Sequence, residues 1–317
     1  CIRDRPLIGY ADFIINDHKK YEIHYDIGHG KAMDDRDFYD PSCHLQGAKS
    51  IITLVFPYHM DRKNHNDWIS KADGDTRDKA YKISKASIFK DYHFSVQEIL
   101  DRLDLYLKER YKSQSVGFCD TGPLNDKAVV LRTGDFKILR NSLLWHKTFG
   151  SRFYIGYLIT DLDLDLDLNL ELDRKLYQSY FHPFCKTCGR CQRACPNGAI
   201  GEHGHLDSRK CISYLTQTNT WTDLESYRTE LGLETDKGLT LKGYVYGCDI
   251  CQQVCPLNGM DLSKDYYREP LVEEYIQRSD IESLTNRQFK ALYNQSSAGW
   301  IGKKRFLRNM AENDREL

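Results

Sequence analysis

Eight of the eleven cysteines of this 317-residue chain lie between residues 185 and 255, and this concentration constrains the fold more than any other feature. The other three, Cys1, Cys43 and Cys119, are scattered. With 40% hydrophobic and 29% charged residues the chain can bury a core of its own, so it does not need the disulfide framework of a small secreted domain. The clustered cysteines therefore indicate metal binding or chemistry.

The spacing of these cysteines is typical of iron-sulfur proteins. From Cys185 to Pro196 the chain reads Cys-x2-Cys-x2-Cys-x3-Cys-Pro, the run of bacterial ferredoxins, in which the fourth cysteine binds the second of two clusters. A later run, from Cys248 to Pro256, holds only three cysteines. Two four-iron clusters need eight ligands, and Cys211 supplies the missing one.

This arithmetic predicts two 4Fe-4S clusters with shared ligand runs. The first predicted set is Cys185, Cys188, Cys191 and Cys255. The second predicted set is Cys195, Cys211, Cys248 and Cys251. The alternative is a pair of zinc sites, each held by four thiolates, and iron-free, colourless protein would favour it.

Two adjacent clusters would carry single electrons to another group. Gly28-His29-Gly30 is followed by Lys31-Ala32-Met33 rather than by the glycines of a dinucleotide fingerprint, so we expect no direct hydride transfer from a nicotinamide. Electrons should come from an external carrier such as ferredoxin or flavodoxin.

Mixed helices and strands predict an α+β fold. The apolar run 50–56 and residues 153–159 favour strands, and the pattern over 88–111 favours an amphipathic helix. Thr121-Gly122-Pro123 predicts a turn into a second helix, with proline at its first position. We expect a sheet domain over 1–175, a two-cluster domain over 176–269 and a helical segment over 270–317, with the acidic Asp-Leu repeats at 161–173 as a linker or edge strand.

Charge and hydropathy limit the partners. The chain has 45 basic and 46 acidic residues, so no global field attracts nucleic acid. The longest apolar stretch, 51–56, is too short to span a bilayer, and we expect a cytoplasmic monomer. We interpret the basic residues at 303–308 as a solvated helix face, and the histidines, His93 among them, as surface or core residues. Since the chain begins at Cys1, we expect a short preceding piece.

Several segments resemble the epoxyqueuosine reductase family. They are Asp120-Thr121-Gly122-Pro123, Gly150-Ser151, the ferredoxin run to Ile200, Cys211 to Thr216 and Tyr246 to Pro256, with weaker matches at Asp91-Tyr92-His93 and Trp300 to Lys304. The resemblance implies a cobalamin-dependent oxidoreductase that removes the epoxide oxygen of epoxyqueuosine in the anticodon loop of tRNA. It also implies a nitroreductase-like N-terminal domain and a ferredoxin-like cluster domain.

The resemblance also implies roles for particular residues. Asp120 matches the proposed acid of the family, although it could instead cap the following helix. The residues that match corrin-binding positions are Arg132, Asn141, Ser213, Gly247 and Asp249. The chain has no Asp-x-His-x-x-Gly signature of the kind that brings a histidine to cobalt, so we expect a corrin without a protein histidine below it.

The chain departs from the family at residues 134–141. Here Gly-Asp-Phe-Lys-Ile-Leu-Arg-Asn replaces a stretch of the type Gly-Leu-Gly-Trp-x-Gly-Lys-Asn, so bulky residues stand where glycine permits close approach to a ligand. The helical repeats that many members append do not follow Leu317, which reduces the expected tRNA surface. Two alternatives therefore stay open: a corrin reductase of another substrate, as in reductive dehalogenases, and an electron-transfer protein without corrin.

Overall fold

The computed structural model describes residues 7–12, 40–58, 80–120, 122–164, 180–202, 204–233, 238–259 and 269–315. Within them the protein has an α+β fold, as predicted. Its strands are β1 (Leu7–Asp12), β2 (Ser50–Pro57), β3 (Tyr81–Ile83), β4 (Ser115–Cys119), β5 (Phe136–Ile138), β6 (Leu144–His146), β7 (Phe153–Thr160), β8 (Tyr244–Tyr246) and β9 (Tyr275–Ile276).

The described helices are mostly short. They are α1 (Tyr92–Tyr111), α2 (Asp126–Leu131), α3 (Cys185–Cys188), α4 (Arg190–Ala194), α5 (Ile212–Gln217), α6 (Leu224–Glu230), α7 (Ile250–Gln253), α8 (Arg278–Glu282), α9 (Asn286–Tyr293) and α10 (Gly302–Arg315). No helix in these described ranges is long and apolar enough to cross a membrane.

The chain divides into two compact units that are not continuous in sequence. The first contains residues 1–57, 93–139 and 143–185, and the second contains residues 58–92, 140–142 and 186–317. This division differs from the three consecutive segments that the sequence predicts. The physical reason is strand pairing, because β3 lies parallel to β8 and antiparallel to β9, so the segment around Tyr81 joins the second unit.

The first unit is built on an antiparallel sheet in the order β1-β2-β7-β4. All eight residues of β2 are buried, as its continuous apolar run predicts. Helix α1 packs on one face through Val96 and Leu100, and Gly156 of β7 permits the close approach because a Cβ there would collide with Val96. The adjacent Tyr157 points to the opposite face, as strand periodicity requires, and packs there with Leu124 and Val129 of the α2 region.

The predicted positions of the two strands are confirmed, and the helix starts are shifted. Helix α1 begins at Tyr92 rather than near Ile88. Helix α2 begins at Asp126, with Asn125 as its N-cap, so the prediction of Pro123 at its first position is wrong. The Asn125 side chain accepts a hydrogen bond from the Ala128 N–H at 3.1 Å. This bond satisfies a backbone N–H group of the first helical turn, which would lack this acceptor if the helix began at Pro123. The predicted acidic linker extends beyond the described residues after 164.

In the second unit, α10 forms hydrogen bonds with α5, which follows Cys211, and with β8, which precedes Cys248. Asn309, fully buried, donates to the carbonyls of Thr216 and Val245, each at 2.8 Å. The guanidinium of Arg308 donates to the Thr218 carbonyl at 2.9 Å and lies 3.6 Å from the Trp221 ring centroid. Arg305 donates to the Gln217 carbonyl at 2.6 Å. These arginines therefore satisfy the carbonyl end of α5 rather than only forming a solvated face.

Candidate functional site

The first cysteine run folds into two short helices joined by a left-handed turn. Cys185 and Cys188 begin and end α3, and Cys191 lies in α4. Gly189, between the helices, has a φ of 59°. The thiol of Cys195, which follows α4, accepts a hydrogen bond from the Ala199 N–H at 3.3 Å. Backbone donors to sulfur are typical of iron-sulfur ligands, because they stabilise the thiolate.

The second predicted ligand set comes together in the second unit. Cys211 caps the N-terminus of α5, and Cys248 and Cys251 flank the start of α7. The charge of Cys195 acts on Cys211, and the charge of Cys211 acts on both Cys248 and Cys251. Four cysteines that are up to 56 positions apart in sequence are thus electrostatic neighbours.

These thiols resist ionisation on their own. Burial raises the pKa of Cys248 and Cys211 above the ordinary range and raises the pKa of Cys251 to about 12. Hydrogen bonds from backbone N–H groups oppose this rise, from Ser213 and Tyr214 at Cys211 and from Ile250 at Cys248. Such a buried set becomes anionic only when a cation binds, which is the chemistry of a thiolate-ligated cluster.

Across the described ranges, no three His, Cys, Asp or Glu side chains form a single-ion site. A cubane places each thiolate on a different iron, whereas a structural zinc site holds four thiolates on one ion.

Asn141 lies beside the second predicted set. Its side chain, 3% exposed, lies close enough to the thiol of Cys251 to lower the pKa of that thiol. The charge of Cys191 from the first predicted set also acts on Cys251, and α4 packs against α7. The resemblance assigns Asn141 to a corrin, and in the structure the residue lies next to a predicted cluster ligand.

The other residues assigned to a corrin have contacts within the chain. The buried carboxylate of Asp249 accepts a hydrogen bond from the Lys85 N–H at 2.7 Å. Gly247 has a φ of 68°, and a Cβ there would collide with Ser84. Ser213 Oγ accepts a hydrogen bond from Gln217 at 3.2 Å, and Arg132 ends α2 as its C-cap. The contacts of Asp249, Gly247 and Ser213 do not by themselves define a corrin site.

Asp120 lies at the end of β4 in a strained backbone conformation. Its φ of 60° falls in the left-handed region, which costs a non-glycine residue free energy and is frequent at functional sites. Its carboxylate Oδ2 lies 3.3 Å from Nε2 of His93, the second residue of α1. Helix α2 is capped by Asn125, so Asp120 is not its cap. Sequence reasoning missed His93, although the weak match at Asp91-Tyr92-His93 could have drawn attention to it.

A second carboxyl, Asp126, lies close to Asp120 and was also missed. Burial, reinforced by the charge of Asp120, raises the pKa of Asp126 to about 7, while Lys127 opposes the rise. The Oδ1 atom of Asp126 is buried and makes no hydrogen bond within the described part of the chain. Next to it, Tyr157 is fully buried, and burial raises its pKa. Its hydroxyl accepts a hydrogen bond from the Leu124 N–H at 3.0 Å.

The divergent stretch 134–141 forms one strand of a β-hairpin and contributes a buried arginine to an ion pair with an exposed glutamate. Phe136, 2% exposed, packs with His146 and Phe153 in the first unit, at centroid distances of 5.0 and 5.6 Å. In the second unit Arg140 pairs with Glu202 and donates to the Lys186 carbonyl at 3.3 Å. The bulky residues at these positions thus serve packing inside each unit.

Two family models match the chain. Residues 184–258 match the family described as 4Fe-4S double cluster binding domain, and residues 39–121 match the family described as epoxyqueuosine reductase QueG, DUF1730. The epoxyqueuosine reductase of Cyclobacterium marinum is 30% identical over 280 residues, which are 86% of this chain and 80% of that protein. The chain belongs to the epoxyqueuosine reductase family.

Other members of the epoxyqueuosine reductase family are longer than this chain. The Bacillus anthracis enzyme is 35% identical over 85% of the chain, yet the match spans only 64% of the relative. The chain therefore covers just under two-thirds of the length of such relatives. The prediction of the family from the sequence is confirmed.

Solved structures of epoxyqueuosine reductases share the fold. The enzyme from Streptococcus thermophilus superposes with a TM-score of 0.70 at 26% identity, over 97% of this chain and 76% of the other. An epoxyqueuosine reductase with an epoxyqueuosine-modified tRNA-Tyr stem loop gives a TM-score of 0.71 at 27% identity over the same shares. A Bacillus subtilis structure, in which a catalytic aspartate loop is swung out of the active site, gives 0.72 at 26% identity, again over 97% and 76%.

Proposed function

We propose that this protein reduces epoxyqueuosine to queuosine in the anticodon loop of tRNA. Membership of the epoxyqueuosine reductase family carries the proposal, and the solved relative with an epoxyqueuosine-modified stem loop supports the substrate. The protein would act as an oxidoreductase with an external one-electron donor.

Two 4Fe-4S clusters would deliver the electrons, in accord with the double cluster domain at 184–258. The proposed ligands of one cluster are Cys195, Cys211, Cys248 and Cys251, whose mutual electrostatic influence supports the set. For the other cluster we propose Cys185, Cys188, Cys191 and Cys255 on the basis of their spacing. The hydrogen bond to Cys195 from the Ala199 N–H, and the polar side chain of Asn141 beside Cys251, would raise the potential of the second set by stabilising its reduced, more negative state.

Cobalamin is the proposed cofactor at the substrate, because the family resemblance implies it. When bound, it supplies a strongly reducing or nucleophilic cobalt centre. Among the residues assigned to it, Asp249, Ser213 and Arg132 make contacts within the chain.

Asp120 is the proposed acid, because removal of the epoxide oxygen as water requires protons. Its carboxyl is 58% exposed and follows a strained strand end, so it is accessible to a substrate. General acid catalysis by a positioned group contributes roughly 10²- to 10⁴-fold to a rate. The exposure of this carboxyl supports Asp120 as the proton donor.

An assay of defined substrate tests the proposed function. Protein purified without oxygen, reconstituted with iron, sulfide and cobalamin, is mixed with a chemical one-electron reductant and an anticodon stem-loop that contains epoxyqueuosine. We expect queuosine in the product nucleosides, and about a 10²-fold or greater loss of rate in Asp120→Asn with the cluster absorbance unchanged. If the clusters are reduced but no queuosine forms, the result would instead favour an electron-transfer protein or a different substrate.

A further inference from the structure

The chemistry of the proposed reaction requires two protons for each turnover. Removing an epoxide oxygen breaks two C–O bonds, forms one C=C bond and releases one water, with two electrons from the external donor and two protons. A single carboxyl such as Asp120 supplies one proton and then becomes an anion. Some group must therefore provide the second proton through Asp120 or beside it.

His93 is the described side chain best placed to do so. Its Nε2 atom lies 3.3 Å from the Asp120 carboxylate, and both residues belong to the first unit. The imidazole is 36% exposed, so it can exchange protons with water. Imidazole is also the side chain whose ordinary titration, near pH 6.5, spans the physiological range.

The surrounding charges favour a proton on this pair. Asp126 feels the charge of Asp120, and burial together with that charge raises the pKa of Asp126 to about 7. The ammonium of Lys127 and the buried phenol of Tyr157 interact electrostatically with Asp126. The Asp120 carboxylate lies 3.3 Å from the imidazole of His93, and an anion at this distance stabilises the imidazolium.

Backbone geometry holds the pair together. Asp120 is fixed in the left-handed region at the end of β4, and His93 is fixed in the first turn of the 20-residue helix α1. The first turn of a helix disfavours a cation and favours an anion, so the carboxylate of Asp120 is needed to balance the charge on His93. A side-chain pair that depends on both partners is suited to sharing one mobile proton.

We propose that His93 is a positioning and proton-supplying partner of Asp120, which protonates the Asp120 carboxylate before each of the two proton transfers of one turnover. This inference rests on the proposed function. The proton passes from the imidazolium Nε2 to the Asp120 Oδ2, and the neutral imidazole then regains a proton from water.

The experiment has one arm that needs no substrate. Histidine side chains of the full, cluster-loaded chain are labelled with ¹³C and titrated by NMR, with His93 assigned by its loss in His93→Gln. We expect the titration midpoint of His93 to fall when Asp120→Asn removes the neighbouring anion, and to be unmoved by the control Asp135→Asn. A midpoint that ignores Asp120→Asn would overturn the proposal.

The second arm measures single-turnover rates against pH on the epoxyqueuosine stem-loop. His93→Gln keeps a hydrogen-bonding side chain but cannot supply a proton as imidazolium does. We expect its rate to fall on the order of 10²-fold at neutral pH, with unchanged stem-loop affinity and partial rescue by added imidazole. The control His205→Gln, at an exposed histidine of the second unit, should keep the wild-type rate.

The outcomes separate the two claims. A His93→Gln variant with the wild-type rate and pH profile would refute the role of His93 even if the wild-type enzyme makes queuosine. Wild-type protein that makes no queuosine would refute the proposed function, and the proposed two-proton delivery with it. In that case the NMR arm still decides whether the two side chains share a proton.

Discussion

Replacing Asn309 by alanine should destabilise the second unit by about 2 to 5 kcal/mol. The amide of Asn309 donates to two buried carbonyls, those of Thr216 and Val245, each at 2.8 Å, and the residue is fully buried. Each acceptor left without a donor costs about 1 to 3 kcal/mol, so two of them cost about 2 to 6 kcal/mol. A water molecule that enters the space left by the shorter side chain offsets part of the upper end, which gives the expected range.

The measurement is urea unfolding of the cluster-loaded protein without oxygen, followed by circular dichroism and by cluster absorbance. With a slope near 2 kcal/mol per molar urea, the midpoint of Asn309→Ala should fall by about 1 to 2.5 M. Asn294→Ala, at an exposed asparagine, is the matched control and should stay within about 0.3 M of the wild type. An Asn309→Ala midpoint equal to that of the control would refute the reasoning.

Two further predictions concern the carboxyl and thiol groups. Because the pKa of folded Asp126 is about 7 while an unfolded Asp titrates near 3.9, the folded chain holds the extra proton between those values and loses stability as pH rises through them. The free energy of unfolding of Asp126→Asn, measured by urea, should therefore rise relative to that of the wild type by on the order of 2 kcal/mol between pH 5 and pH 8. Equal pH dependence of the two unfolding free energies would contradict this. Cys211→Ser should lose about four of about eight irons per chain in anaerobic metal analysis, whereas the exposed Cys43→Ser should lose none; full iron in Cys211→Ser would exclude that thiol as a ligand.

The parts of the fold that could be predicted from the sequence are those set by local pattern. The apolar runs at 50–56 and 153–159 became β2 and β7, since continuous burial on both faces leaves few alternatives to a central strand. Helix α1 followed from its apolar spacing, although its first turn was placed too early. The ligand sets followed from cysteine spacing alone, and the proximity of Cys211 to Cys195, Cys248 and Cys251 supports one of them.

Contacts between segments that are distant in sequence could not be predicted from local sequence pattern. Nothing in the three residues of β3 indicates that they pair with β8, which is more than 160 positions away. His93 was interpreted as an ordinary surface or core histidine, because its partner Asp120 follows 27 positions later on another element. Asn141 was assigned from the resemblance to a corrin, and only the three-dimensional arrangement shows that its side chain lies beside Cys251.

The exchange of chain segments between the two units bears on how the protein can be dissected. A fragment that begins after residue 185 would lack β3, the centre strand of the three-stranded sheet. Such a fragment would leave the edges of β8 and β9 unpaired. The complementary fragment would retain that strand without its neighbours. Neither half therefore keeps the three-stranded sheet intact, and an isolated C-terminal piece would expose two strand edges that β3 covers in the full chain.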